Sequence, residues 1–294
     1  MRRAWAAVVA VTVACGGFTQ RVRADDLAEP LKQRRDYAAA MKRVVSGFQG
    51  RPGVVIHVGD SITYANPYGQ WARNGQGQTA DDKAALRWMH AGADDDTDGW
   101  WLARFDHPDG GRSHTAAGGM RADELLAGGK QNLPSLERLL AMYRPQMVVL
   151  MIGTNDASAG RPLATYEKDM VRAVDLILAA HAIPVLSTIP PHPQRTELAK
   201  SYNEALRKLA KERGLPLIDF EQEILRRRPN DWNGKLLAKD DVHPTAERAG
   251  ASPASAPTTE NLANSGYLLR GWLSVRKIAE VKRTVIDGLP AGGK

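Results

Sequence analysis

Three short motifs carry side chains capable of nucleophilic chemistry. Gly59-Asp60-Ser61 follows a β-branched run, Gly153-Thr154-Asn155-Asp156 follows an apolar run, and Asp240-Asp241-Val242-His243-Pro244 lies in the C-terminal third. A serine hydroxyl is a weak nucleophile until a base removes its proton. Histidine becomes that base when a carboxylate orients the ring and stabilises the imidazolium it turns into. Asp240 and His243 are three residues apart, so on a turn or short helix they share a face and can hydrogen-bond. The Asn155 amide is a neutral N–H donor of the kind that stabilises an oxyanion. Each motif also has a plain reading, Ser61 as a helix cap and Gly-Thr-Asn-Asp as turn residues. Only their combination, in the order Ser…Asp…His, argues for catalysis.

The elements around the motifs explain how they could meet. Helical periodicity is read over 34–45, 134–143, 166–181, 197–213 and 267–287, with strand-like runs over 53–58, 147–152, 184–189 and 215–220. Strands separated by helices imply βαβ units, right-handed crossovers and a parallel sheet covered on both faces. In such a sheet the carboxyl ends of the strands face the ligand crevice, which is where Ser61 and Asn155 stand. Two segments break the rhythm. Residues 64–112 are rich in Gly, Asp and Trp, and the tryptophans (Trp71, Trp88, Trp100, Trp101) argue for a folded flap near the site. Residues 246–264 are rich in Ala, Ser, Pro and Thr and read as a flexible excursion.

The first 24 residues read as a secretory signal peptide: Arg2 and Arg3, a short apolar stretch, and Val22-Arg23-Ala24 before Asp25. A lipid anchor at Cys15 is disfavoured by Thr12, which stands where such signals carry leucine. Removing the leader takes away four arginines and no acid, so the formal charge of the 294-residue chain falls from +7 to +3. Little then supports a nucleic-acid partner. It also takes away the only cysteine, which excludes a disulfide scaffold and a thiol nucleophile. No apolar run reaches the roughly 20 residues of a spanning helix. The expectation is a single exported domain over 25–294, periplasmic or extracellular, with no stable membrane insertion.

Taken together, Gly59-Asp60-Ser61, a later Gly118-Gly119, Gly153-Thr154-Asn155-Asp156 and Asp240…His243-Pro244 resemble the four blocks of the SGNH (GDSL-type) hydrolases, in family order. The resemblance implies a flavodoxin-like three-layer α/β/α sandwich with a parallel sheet. It further implies ester hydrolysis through a serine acyl-enzyme, without metal or cofactor. Carried over by position, Ser61 is the nucleophile, His243 the base and Asp240 its orienter. The oxyanion hole is then built from the Ser61 N–H, a block-two glycine N–H and Asn155. Gly118 and Gly119 both align, and Gly119 is preferred because Leu125 and Leu126 then fall where the following helix turns apolar. A G-x-S-x-G elbow is absent, which argues against the ordinary α/β-hydrolase fold. The substrate expected is a small-molecule or carbohydrate ester with a small acyl group. Alternatives are a lipase- or lysophospholipase-like activity, or a non-catalytic carbohydrate-binding protein on the same fold.

Other features compete for a functional reading. Asp94, Asp96, Asp98 and Gly99 spell the opening of a calcium loop, but position twelve is Phe105. A solvated acidic loop is expected there, with a structural calcium as the alternative. His57 on the first strand reads as a core histidine, and His107 and His114 lack metal-ligand spacing. Trp100-Trp101 could stack on a sugar or pack the flap. Arg226-Arg227-Arg228 reads as a solvated helix end.

Overall fold

A computed structural model describes residues 36–89, 100–101 and 115–288, with residue 30. The expected 1–24 leader with Cys15, the acidic triplet Asp94, Asp96 and Asp98, and His107 and His114 lie outside the described residues. The elements run α1 (Tyr37–Val45), β1 (Val55–Gly59), α2 (Ser61–Tyr64), α3 (Pro67–Asn74), α4 (Ala80–Trp88) and β2 (Trp100–Trp101). There follow α5 (Ala122–Ala127), α6 (Leu136–Tyr143), β3 (Met147–Met151), α7 (Thr154–Ser158), α8 (Leu163–Ala179) and β4 (Ile183–Ser187). Last come α9 (Thr196–Arg213), β5 (Leu217–Ile218), α10 (Phe220–Arg227), α11 (Thr259–Leu262) and α12 (Gly266–Val281).

All strand pairs are parallel, in the order β2-β1-β3-β4-β5. That is the flavodoxin-like order, whose chain reversal between β1 and β3 leaves a crevice at the carboxyl ends of those two strands. The runs Val-Ile-His-Val-Gly, Met-Val-Val-Leu-Met and Ile-Pro-Val-Leu-Ser are buried at every position, as a sheet covered on both faces requires. One group of helices packs α12 on α3 and α4, and a second packs α8 on α5, α6 and α9. Helices flank the sheet in a three-layer α/β/α arrangement.

Three expectations need correction. The start of the 64–112 segment is no flap. Pro67 opens α3, the Thr79 and Asp82 side chains cap α4 reciprocally, and Trp71 is fully buried, so this stretch belongs to the helical layer on α12. Residues 246–264 are tied down rather than loose. Arg248 and Ala251 exchange backbone hydrogen bonds of 3.0 and 2.8 Å, and Gln76 N–H reaches Ala254 O at 2.9 Å. The arginine run is not a solvated helix end either. Arg227 is buried, ion-paired with Glu223 and 5.6 Å from the Trp272 ring, while Arg228 donates to Ala263 O and Asn264 Oδ1 at 2.8 and 2.7 Å. Glu223 supplies a counter-charge one helical turn away, and this allows the cation to be covered.

Candidate active site

β1 delivers the first motif. A Cβ on Gly59 would sit 2.3 Å from both Met151 O and Thr63 Oγ1, so only glycine fits where β1 passes β3 and turns. Asp60 then caps α2, its Oδ1 accepting the Ile62 N–H at 3.0 Å, and Ser61 becomes the first helical residue. From below, Arg270 on α12 donates to Ile62 O at 2.6 Å and to Thr63 Oγ1 at 2.7 Å. Its guanidinium lies 3.8 Å from the Tyr68 ring centre. His57 is buried and bonded to Tyr68 Oη at 2.8 Å, and burial and the nearby Arg270 keep it well below the ordinary histidine range. It is a core histidine, away from the reacting groups.

The third motif comes to the first across 182 residues: Ser61 Oγ and His243 Nε2 are 2.8 Å apart. On the other side of the ring, His243 Nδ1 meets Asp241 Oδ1 at 2.8 Å. Because a carboxylate can only accept, Nδ1 carries the hydrogen and Nε2 is left to accept the serine proton. Asp241 also accepts the Val242 N–H at 2.6 Å. Burial alone would raise this carboxyl, but His243 and that N–H together hold it below the usual range.

The carboxylate at the histidine is therefore Asp241, and the expected Asp240 is turned elsewhere. Asp240 sits at φ +58°, in the left-handed region. Its N–H donates to Asn233 Oδ1 at 2.7 Å and its Oδ1 accepts from Asn233 Nδ2 at 3.1 Å, a reciprocal pair that occupies the side chain. The expectation assumed a helical turn, on which positions three apart align. In the actual loop, Asp241 folds its carboxylate forward over the next two residues, so a spacing of two suffices.

The remaining expected residues gather at the ends of β1 and β3. Ala116 bridges to Gly59, and Ala117 N–H donates to Gly59 O at 3.2 Å, laying the block-two chain beside β1. A tight turn follows with Met120 N–H on Ala117 O at 3.3 Å, and Gly119 at φ +71° supplies the left-handed residue. Gly118 is bound differently, its carbonyl accepting Gln131 Nε2 at 3.3 Å. Asn155, near the start of α7, donates from Nδ2 to Met120 O at 3.1 Å and faces Asp60 Oδ2 at 3.4 Å. Its neighbour Asp156 is buried, accepts the Ala122 N–H at 3.0 Å and pairs with Arg161, so it fastens α5 to this loop.

The family described as GDSL-like lipase/acylhydrolase matches residues 57–248, a span that contains Ser61, Gly119, Asn155, Asp241 and His243. The chain belongs to the GDSL-like lipase/acylhydrolase family. Over 122 residues this GDSL-family chain is 30% identical to thioesterase 1/protease 1/lysophospholipase L1 of Escherichia coli, a stretch covering 40% of this chain and 55% of that protein. It thus spans about half the length of the curated relatives it matches. A catalytic mutant of an acetylxylan esterase from Geobacillus stearothermophilus aligns with TM-score 0.50 and 18% identity, over 79% of this chain and 96% of that one. The lipase/acylhydrolase from Enterococcus faecalis aligns with TM-score 0.46 and 19% identity, over 77% and 95%. The acetylxylan esterase likeness establishes a shared fold.

Sequence reasoning placed Ser61, Asn155 and His243 and missed Asp241, Asp60 and Arg270. Asp60 stood inside the first motif, and a carboxylate next to the candidate serine was the available signal. Nothing local marks Arg270, which acts across more than two hundred residues. Among the described residues no group of three or more His, Cys, Asp or Glu side chains is arranged to hold a metal ion, and no helix is long and apolar enough to cross a membrane.

Proposed function

We propose that this GDSL-family protein hydrolyses carboxylic esters through an acyl-enzyme on Ser61. The observation that carries the reading is the unbroken relay from Ser61 Oγ to His243 Nε2 and from His243 Nδ1 to Asp241 Oδ1, each step 2.8 Å. His243 takes the Ser61 proton as Oγ bonds to the ester carbon, and the carbonyl pair moves onto oxygen. That oxyanion is received by the Ser61 N–H, the Gly119 N–H and an Asn155 N–H. As it collapses, the ester C–O bond breaks and the leaving oxygen takes the proton from His243, departing as the alcohol. Water repeats the cycle, giving its proton to His243 and releasing the acid and the free serine. Asp241 balances the imidazolium that forms twice in each turnover.

The substrate reading is a small acyl group, carbohydrate O-acetyl esters included, and it rests on the expected export through the 1–24 leader. The partial identity to a thioesterase and lysophospholipase supports a second reading, longer acyl chains. Both are tested on the leaderless protein with p-nitrophenyl esters of rising chain length, acetylated xylo-oligosaccharides, an acyl thioester and a lysophospholipid. Preference for acetyl esters supports the first, and a rise with chain length replaces it with the second. A serine-directed organophosphate should label Ser61 by mass spectrometry as activity disappears. Inactivation with the label on another serine refutes the assignment. Amino-terminal sequencing of protein recovered outside the cytoplasm tests export, with Asp25 expected as the first residue.

A further inference from the structure

The most costly unexplained group in the site is Asp60. It is fully buried and, among the described residues, in no ion pair within 4 Å, although a serine, threonine or asparagine could cap α2 about as well. One oxygen, Oδ1, does the capping. The second, Oδ2, has no part in that cap and faces Asn155 Nδ2 at 3.4 Å. An amide nitrogen has two hydrogens, and here one is directed at Met120 O and the other at Asp60. The Asp60 contact is at the long edge of hydrogen bonding, so it orients the amide while leaving that hydrogen to be shared with an incoming anion.

We infer that Asp60 is a positioning residue for Asn155: with Met120 O holding one N–H, the Asp60 carboxylate fixes the direction of the other, so Asn155 donates best to the oxyanion while Asp60 is ionised. The inference rests on the esterase reading and adds a residue to it. Without the carboxylate only Met120 O holds the amide, so its plane can tilt about that bond and carry the second N–H out of the crevice. The groups around Asp60 set when it is ionised. Burial pushes it up to about 6, while the Ile62 N–H, the Arg270 guanidinium, His243 and the Thr154 hydroxyl restrain the rise. The Tyr166 and Tyr267 hydroxyls, on α8 and α12, also sense its charge. Asp60 therefore changes charge just below neutrality, and Asn155 should follow.

The test is a double-mutant cycle on the leaderless protein with p-nitrophenyl acetate, accompanied by thermal melting. Asp60→Asn keeps the cap and removes the charge, so kcat should fall roughly tenfold or more at unchanged KM and with no loss of Tm. In an Asn155→Ala background the same change should cost less than about twofold, because the residue through which it acts is gone. Independent, multiplying losses overturn the inference, and so does a fall in kcat that simply tracks a collapse in Tm. Should Asp60→Asn not fold, the Ser61→Ala protein supplies a second readout. Its Asn155 side-chain amide signals, assigned by their loss in Asn155→Ala, should shift between about pH 4.5 and 8 with a midpoint near 6. Signals that stay still overturn the inference. A wild type that hydrolyses no ester, with an amide that still titrates, defeats the esterase reading and leaves the Asp60–Asn155 coupling standing.

Discussion

Replacing Asp241 by Asn and, separately, Asp240 by Asn decides which carboxylate serves the histidine. The Asp241 and His243 side chains are 46% and 41% exposed, so their attraction lies between the aqueous and the interior limits. Two unit charges centred ~4 Å apart attract by about 1 kcal/mol in water and about 4 kcal/mol at an effective dielectric of 20. Taking ~2 kcal/mol as the imidazolium stabilisation lost in Asp241→Asn gives a fall in kcat of roughly 30-fold. An asparagine that turns its NH₂ towards Nδ1 also favours the wrong ring tautomer, which extends the range towards ~10³-fold. Asp240→Asn should be nearly silent, within about threefold, because its backbone N–H still reaches Asn233 and the new amide can still accept from it. Steady-state kinetics on p-nitrophenyl acetate, with melting curves to exclude unfolding, measure both. A larger loss in Asp240→Asn than in Asp241→Asn refutes the assignment and restores the carboxylate three residues before the histidine.

Other outcomes follow from the same geometry. Asn155→Ala should lower kcat by roughly 10²–10³-fold with little change in KM, since its bond to the oxyanion is made mainly in the transition state. A change confined to KM would make it a turn residue. Asp60 has a folded value of about 6 against 3.8 for the free group, so folding favours its neutral form. The corresponding stability is fully present below about pH 4 and lost as pH rises through 6, amounting to about 3 kcal/mol. Asp60→Asn should therefore unfold at higher temperature than wild type at pH 8, with the gap closing in acid, and a lower Tm at pH 8 contradicts this. Asp156→Asn can still accept the Ala122 N–H and leaves Arg161 on Asp169 at 2.8 Å, while burial already pushes the Asp156 carboxyl up, so denaturant unfolding should show a change of only about 1 kcal/mol, and a loss of ~3 kcal/mol or more would mean that the Asp156–Arg161 pair carries this junction.

Much of this was legible because parallel sheets announce themselves: a continuous apolar run at 147–151 and the mostly apolar stretch at 183–187 can be little else when helices separate them. The motifs at the ends of β1 and β3 were legible for the same reason, since strand termini decide where a loop points. The Asp240 expectation failed because spacing arguments carry a tacit backbone conformation, and a non-glycine residue at positive φ has no sequence signature as firm as glycine's. α3 and α4 were obscured by composition, although Pro67 and the Thr79…Asp82 pair are ordinary helix-start signals. β2, two residues long among those described, is too short to offer a periodicity. Buried charge was the hardest to read. Arg227 and Arg270 look like surface residues until the partner that covers each one is known.

The clamp from Arg270 to the serine turn has a consequence for the newly made chain. The ribosome releases Ser61 early, and the two residues after it must wait for an arginine more than two hundred positions behind. At roughly 10 residues per second, that interval is about 20 s. For most of it the Ser61 hydroxyl also lacks His243, and a chain that stalls or is cut before α12 has no guanidinium under the serine turn. The serine turn of this architecture is complete only once translation has run almost to the end.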